Sequence, residues 1–268
     1  MFSFCKMQGI GNDFVVIDCT ENEFQYSLEV LSQFLCDRHY GVGADGVILV
    51  DRSEIADFKM KIFNSDGSEA QMCGNGIRCL AKYVFEKQKT DKTEFAIETL
   101  AGVKKVKLEV ENQTVISVKV NMGEPEIENL QYIIEIENKQ YKVHSISMGN
   151  PHAVCFVKDV EDFEVEKIGP VLENYKYFPH KTNVEFVEIV DDKNIKLRVW
   201  ERGVGETNAC GTGACAGTMI AIKEKLTGND VTVNLKGGNL QIHYDKNENI
   251  IEMTGEAQMV FEGKIEMM

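Results

Sequence analysis

The sequence has little positive charge. Its 29 lysines and arginines stand against 43 aspartates and glutamates, a formal net charge of −14 with a pI near 4.9. Nucleic acid or an anionic membrane would need a basic face, so neither is expected as a partner. No apolar run is long enough to span a bilayer. The opening residues Met1–Lys6 hold no charged leader followed by a long apolar stretch. No signal peptide is read there, and a cytoplasmic location is expected. There is no Cys-x-x-Cys pair, and His39, His144, His152, His180 and His243 lack the spacing of metal ligands. No metal site is therefore expected. The glycine fingerprint of dinucleotide-binding folds and the lysine-bearing phosphate loop are also missing, so no nucleotide cofactor has a visible home. Without an export signal, the eight cysteines are expected as thiols.

What the sequence does contain is one device twice. Met72–Cys79 reads Met-Cys-Gly-Asn-Gly-Ile-Arg-Cys, and Ala209–Ala216 reads Ala-Cys-Gly-Thr-Gly-Ala-Cys-Ala. Glu69 stands four residues before Cys73, and Glu206 four before Cys210. After Cys73, Ile77, Leu80, Ala81, Val84 and Phe85 fall on one helical face. After Cys210, Ala214, Met219 and Ile222 do the same, with Thr227-Gly228 suited to a helix end. Each cysteine is thus expected at a helix N-terminus, where unpaired N–H groups and the helix dipole favour an anion. On that argument each thiol should lose its proton more readily than a free one. The glycines let backbone N–H groups approach a ligand, so each turn is also a candidate carboxylate site. Two such turns could supply a base on one face of an α-carbon and an acid on the other. Cys5, Cys19, Cys36 and Cys155 lie in apolar runs and read as core; Cys79 and Cys215 fall on the following helices and read as core or support.

The rest of the chain reads as strands and two similar halves. Strands are expected on both sides of a loop at residues 8–13, then a helix over 27–38 capped by Ser27, then strands at 47–50 and 59–63. Alternation over 94–123 gives further strands, with a boundary near 118–125. In the second half, strands are expected around Asn138-Lys139, at 153–157, in a hairpin over 183–200, and at 231–235, 239–244, 250–253 and 257–265. A short helix is expected over 161–174. The fold class is α+β: two pseudo-symmetric lobes, each a curved, mostly antiparallel, barrel-like sheet wrapped around a central helix. Residues 1–117 with 257–268 form the expected N-terminal lobe carrying Cys73; residues 118–256 form the C-terminal lobe carrying Cys210.

Eight segments then carry a resemblance: 9–14 (Gly-Ile-Gly-Asn-Asp-Phe), 63–69, 73–79, 149–152 (Gly-Asn-Pro-His), 169–173, 182–186, 201–207 and 209–216. In this order they resemble diaminopimelate epimerase along the whole chain. The related proline racemases carry histidine at the position of Asn75. The resemblance implies an isomerase that interconverts LL- and meso-2,6-diaminopimelate without pyridoxal phosphate or metal, on the route to lysine and peptidoglycan. It implies catalytic roles for Cys73 and Cys210, with His152 and Glu201 beside the thiols. It implies substrate contacts from Asn12, Asn64, Gly74, Asn75, Asn150, Asn183, Glu201, Arg202, Gly211 and Thr212. It also implies a homodimer through the first lobe and the C-terminal strand. One departure stands out: many members carry glutamine where this chain has Gly46. Competing readings are a cofactor-independent racemase of another amino acid, a non-catalytic amino-acid-binding protein and a thiol redox sensor.

Overall fold

The computed structural model describes residues 2–20 and 27–266. Met1, residues 21–26, Met267 and Met268, which the expected N-terminal lobe included, lie outside them. Among the described residues no helix is long and apolar enough to cross a membrane. The chain divides into two compact units, residues 1–120 with 255–268 and residues 121–254.

Unit 1 holds β1 (Phe2–Gly9), β2 (Asn12–Asp18), α1 (Leu28–Cys36), β3 (Gly46–Asp51), β4 (Phe58–Asn64), β5 (Glu69–Ala70), α2 (Gly74–Glu86), β6 (Glu94–Thr99), β7 (Gly102–Glu111) and β8 (Thr114–Gly123), which runs past the unit boundary. Unit 2 holds β9 (Glu126–Ile136), β10 (Lys139–Ser147), β11 (Pro151–Phe156), α3 (Val165–Glu173), β12 (Asn183–Ile189), β13 (Asn194–Glu201), β14 (Gly205–Thr207), α4 (Gly211–Lys223), β15 (Asp230–Leu235), β16 (Gly238–Asp245) and β17 (Ile250–Gly255). The last strand, β18 (Gln258–Ile265), returns to unit 1 and pairs antiparallel with β1.

The two sheets follow one plan. In unit 1 the order is β18-β1-β2-β3-β4-β6-β7-β8, antiparallel except for the parallel pairs β2–β3 and β4–β6. In unit 2 it is β9-β10-β11-β12-β13-β15-β16-β17, with β11–β12 and β13–β15 parallel. The short strands β5 and β14 occupy the same place in each, beside β4 and β13. Each parallel pair needs a crossover, and the helices supply it: α1 and α3 in the first crossovers, α2 and α4 in the second. Along the described pairings neither sheet is closed. Each is an open, mixed sheet curved around its long helix, with α2 packed on β1, β2, β3, β4, β7 and β18.

The middle strand of each unit, β3 or β12, is covered on both sides, and in β3 the sequence is correspondingly apolar without alternation. In β3, Val47 and Leu49 join Leu31 and Leu35 of α1 in one core, while Ile48 faces Gly76 of α2. In β12, Val184 and Phe186 join Ile168 and Leu172 of α3, while Val187 faces Gly217 of α4. Ser27 stands at the N-cap of α1, but its side chain makes no capping bond there. α4 ends at Lys223, a turn before Thr227-Gly228.

Candidate active site

Cys73 and Cys210 are the N-caps of α2 and α4, both with extended backbone. In each turn the sulfur takes the place of a capping oxygen. The N–H of Gly76 donates to Cys73 Sγ at 3.4 Å, and the N–H of Gly213 donates to Cys210 Sγ at 3.3 Å. These are donors to the reduced sulfur and would strengthen on ionisation. The glutamates four residues earlier do not serve the sulfurs in the same way. Glu206 is engaged by Arg198, at 2.6 and 3.0 Å, and by Lys236 at 2.6 Å. Glu69 lies exposed on β5.

In unit 1, Asn12 opens β2 after a two-residue turn in which Ile10 and Gly11 both have positive φ. Its side chain meets the Cys73 turn. Cys73 Sγ donates to Asn12 Oδ1 at 3.6 Å, and Asn75 Nδ2 donates to the same oxygen at 3.1 Å. Arg78, fully buried on α2, donates to Asn75 Oδ1 and to the carbonyl of Gly74, both at 3.0 Å. Gly74 and Asn75 therefore sit in the turn with their polar groups oriented. Asn64, at the end of β4, stands apart and donates to Ser68 Oγ within its own turn. Gly46 lies across from Asn64, and a Cβ there would come within 2.8 Å of the Phe63 carbonyl oxygen. This backbone leaves no room for a side chain at Gly46.

In unit 2, Thr212 Oγ1 lies 3.4 Å from Cys210 Sγ and accepts from Asn150 Nδ2 at 3.4 Å. His152, on β11, places Nε2 3.0 Å from Asn150 Oδ1 and Nδ1 2.7 Å from Glu185 Oε1. Gly211 begins α4 beside them. Asn183 opens β12, donates to the Pro151 carbonyl at 3.1 Å and accepts from the Arg202 N–H at 2.9 Å. The Arg202 guanidinium reaches the His180 carbonyl at 3.4 Å. Glu201 ends β13 and accepts from the Thr207 hydroxyl.

Electrostatics correct one expectation. Burial pushes the Cys210 thiol well above its ordinary pKa, and Glu201 and Glu185 push it further. Thr212 and the Gly213 N–H pull the other way but do not prevail. A helix end is worth about 0.3–1 kcal/mol at an exposed site, less than the desolvation of a buried thiolate. The core cysteines behave as expected: burial takes Cys5 and Cys19 to about 11, and Cys36, Cys79 and Cys155 to about 12.

Sequence reasoning missed three residues. Asp45 holds Asn12, accepting from its Nδ2 at 2.8 Å. Arg78 holds Asn75. Glu185, wholly buried, holds His152. Glu185 sits in a strand, Asn-Val-Glu-Phe-Val-Glu-Ile, whose alternating pattern does not mark it as buried.

Fold and turns together define a class: duplicated α+β proteins with a cysteine capping the long helix of each half. Solved structures share the fold. A phenazine biosynthesis protein of the PhzF family from Bacillus anthracis superposes with a TM-score of 0.77 at 16% identity, over 99% of each chain. A hydroxyproline epimerase from Agrobacterium vitis gives 0.74 at 15% identity, over 97% of this chain and 91% of that one. The diaminopimelate epimerase family model matches residues 4–128 and 144–260. A diaminopimelate epimerase of Methanococcus maripaludis is 47% identical over 98% of this chain and 99% of its own. One from Acetivibrio thermocellus is also 47% identical, over 98% of each. The chain belongs to the diaminopimelate epimerase family, and it is an isomerase.

Proposed function

We propose that this chain interconverts LL- and meso-2,6-diaminopimelate by moving a proton at one α-carbon between two cysteines. In the LL to meso direction Cys210 removes the α-proton as thiolate and Cys73 delivers a proton to the opposite face as thiol. The reverse reaction exchanges the roles. The observation that carries the reading is the duplicated N-cap: two thiols, on equivalent helices, each with a backbone N–H aimed at its sulfur. The N–H groups of Gly74, Asn75, Gly211 and Thr212 are the donors proposed for the α-carboxylate. Asn12, Asn64, Asn150, Asn183, Glu201 and Arg202 are proposed to hold the remaining ammonium and carboxylate groups. His152 and Glu201 are proposed to set thiol protonation. Membership of the family and near-full-length relatives of that name support the substrate.

A cytoplasmic homodimer belongs to the same reading. Its support is β18, where Phe261 is 48% exposed and packs edge-on against Phe4 at 6.0 Å. Sedimentation that finds only a 30.2 kDa species would remove the dimer.

The activity is tested by incubating reduced protein with LL-diaminopimelate in D2O, beside Cys73→Ala and Cys210→Ala. Meso product carrying one solvent deuteron, absent in both variants, is expected. Wild-type protein that exchanges no α-proton would refute the assignment.

A further inference from the structure

The two units place different residues at one structural position. A Cβ on Gly76 would meet Ile48 Cδ1 at 3.2 Å; a Cβ on Gly213 would meet Glu185 Oε1 at 2.8 Å. Ile48 and Glu185 are thus counterparts. Their neighbours across the parallel pairs match as well: Phe14 lies opposite Gly46, two residues before Ile48, and His152 lies opposite Asn183, two before Glu185. Where unit 1 has phenylalanine and isoleucine in its core, unit 2 has histidine and glutamate. Both are 0% exposed, and Glu185 Oε2 has no hydrogen-bond partner. A buried ionisable pair is no more stable than a well-packed apolar pair and is often less so. Stability does not account for its presence.

The pair changes how the asparagine in front of each cysteine is aimed. In unit 1 the Asp45 carboxylate, which can only accept, takes Asn12 Nδ2, so Asn12 Oδ1 faces Cys73. Arg78, which can only donate, fixes Asn75 in the matching sense. In unit 2 the counterpart asparagine is turned round. Asn150 Oδ1 can only accept, so its 3.0 Å contact with His152 places a hydrogen on Nε2. That N–H donates to Asn150 Oδ1. Asn150 Nδ2 then donates to Thr212 Oγ1, and the Thr212 hydroxyl hydrogen is left to point at Cys210 Sγ.

We propose that Glu185 is a positioning residue for Cys210: by holding His152 it fixes the direction of a hydrogen-bond chain through Asn150 and Thr212 that ends as a donor to the sulfur. Cys73 faces an acceptor, whereas Cys210 faces a donor. This rests on the proposed function only for the catalytic use of the two thiols. The titratable groups bearing on Cys210 are Glu201 from β13 and Glu185 from β12, with His152 from β11 in contact with Glu185. On the Cys73 side they are Arg78 from α2 and the Asp13–Arg38–Asp45 cluster behind Asn12.

The test needs no substrate, so it stands or falls apart from the activity. The rate of alkylation by iodoacetamide is followed against pH in ligand-free protein, and Cys210 and Cys73 are read separately by peptide mass spectrometry. In Glu185→Leu the Cys210 curve is expected to move about one unit to higher pH, a roughly tenfold slower reaction below the midpoint, while the Cys73 curve stays in place. Loss of a negative charge alone would move it the other way. Thr212→Val keeps the side-chain shape, removes the last link and is expected to give the same shift. It decides the matter if circular dichroism shows Glu185→Leu unfolded. A Cys210 curve that is unmoved or moves to lower pH, or equal shifts at both cysteines, overturns the proposal.

Discussion

Glu173 accepts a hydrogen bond from the indole Nε1 of Trp200 at 2.8 Å. Its other oxygen accepts from the Gly203 N–H at 3.0 Å and lies 3.4 Å from Lys181 Nζ. One buried carboxylate thereby ties α3 to the turn that carries Glu201 and Arg202. Glu173→Ala leaves a buried indole N–H and a backbone N–H without their acceptor. We expect a loss of about 2–3 kcal/mol in urea unfolding. We also expect a several-fold rise in KM for diaminopimelate with a smaller change in kcat. Unchanged KM would show that Arg202 is held without it.

Acid should unfold the protein through a few paired carboxylates. Burial pushes Asp13 up, but Arg38 and Lys6 outweigh it and hold the carboxyl below its usual range. Burial likewise pushes Glu206 up, and Arg198 and Lys236 outweigh it. A lowered folded pKa gives stability that is complete above the unfolded value, about 4, and is lost as pH falls through the folded one. The urea midpoint should therefore be flat from pH 7 to about 5 and fall below about 4. Asp13→Asn and Glu206→Gln should each flatten part of that fall, and an unaltered profile in both would exclude these pairs as its cause.

The two turn glycines should differ in tolerance. A methyl at Gly213 would lie 2.8 Å from Glu185 Oε1 and 3.3 Å from Cys210 Sγ. A methyl at Gly76 would meet the flexible ends of Ile48 and Ile62 at 3.2 Å. Gly213→Ala is expected to cost about 1–3 kcal/mol and most of the activity. Gly76→Ala is expected to cost less of both. The same thermal melts and turnover assay serve for the pair, and equal losses would contradict the packing argument.

Stability and turnover should part company at His152 and Glu185. His152→Phe combined with Glu185→Ile gives unit 2 the core residues of unit 1. The double variant is expected to be as stable as the parent or more so, by up to about 4 kcal/mol. Its turnover should fall at least about a hundredfold. A strongly destabilised double variant would mean that the ion pair is structural after all.

Much of this was legible in the sequence. The repeated Cys-Gly-x-Gly turn placed both helices and both N-caps, because glycines and helical periodicity are local signals. Strand positions followed from alternation and turn residues, as in the hairpin expected over 183–200 around residues 191–194, whose strands lie at 183–189 and 194–201. Strand direction did not. The parallel pairs β2–β3 and β11–β12 depend on crossovers through α1 and α3, and period-two alternation is the same for either direction. The thiol electrostatics were hidden for a related reason. A helix N-terminus is visible in sequence, whereas burial of Cys210 and its nearness to Glu185 and Glu201 are properties of the packed structure. Asp45 and Glu185 escaped notice because each acts through a residue far from it in sequence: Asn12 lies 33 positions from Asp45, and His152 lies 33 from Glu185.

The pairing of β1 with β18, Phe2 against Ile265, sets an order for synthesis. Residues 121–254 have all been made before β18 exists, so unit 2 can complete its sheet on the ribosome while unit 1 still lacks an edge strand. The half translated first is finished last. Until then β1 has a bare edge, and a nascent chain stalled before residue 258 would leave that edge, and the part of the Phe4 ring that Phe261 and Gly263 cover, open to whatever chaperone or neighbouring chain it met.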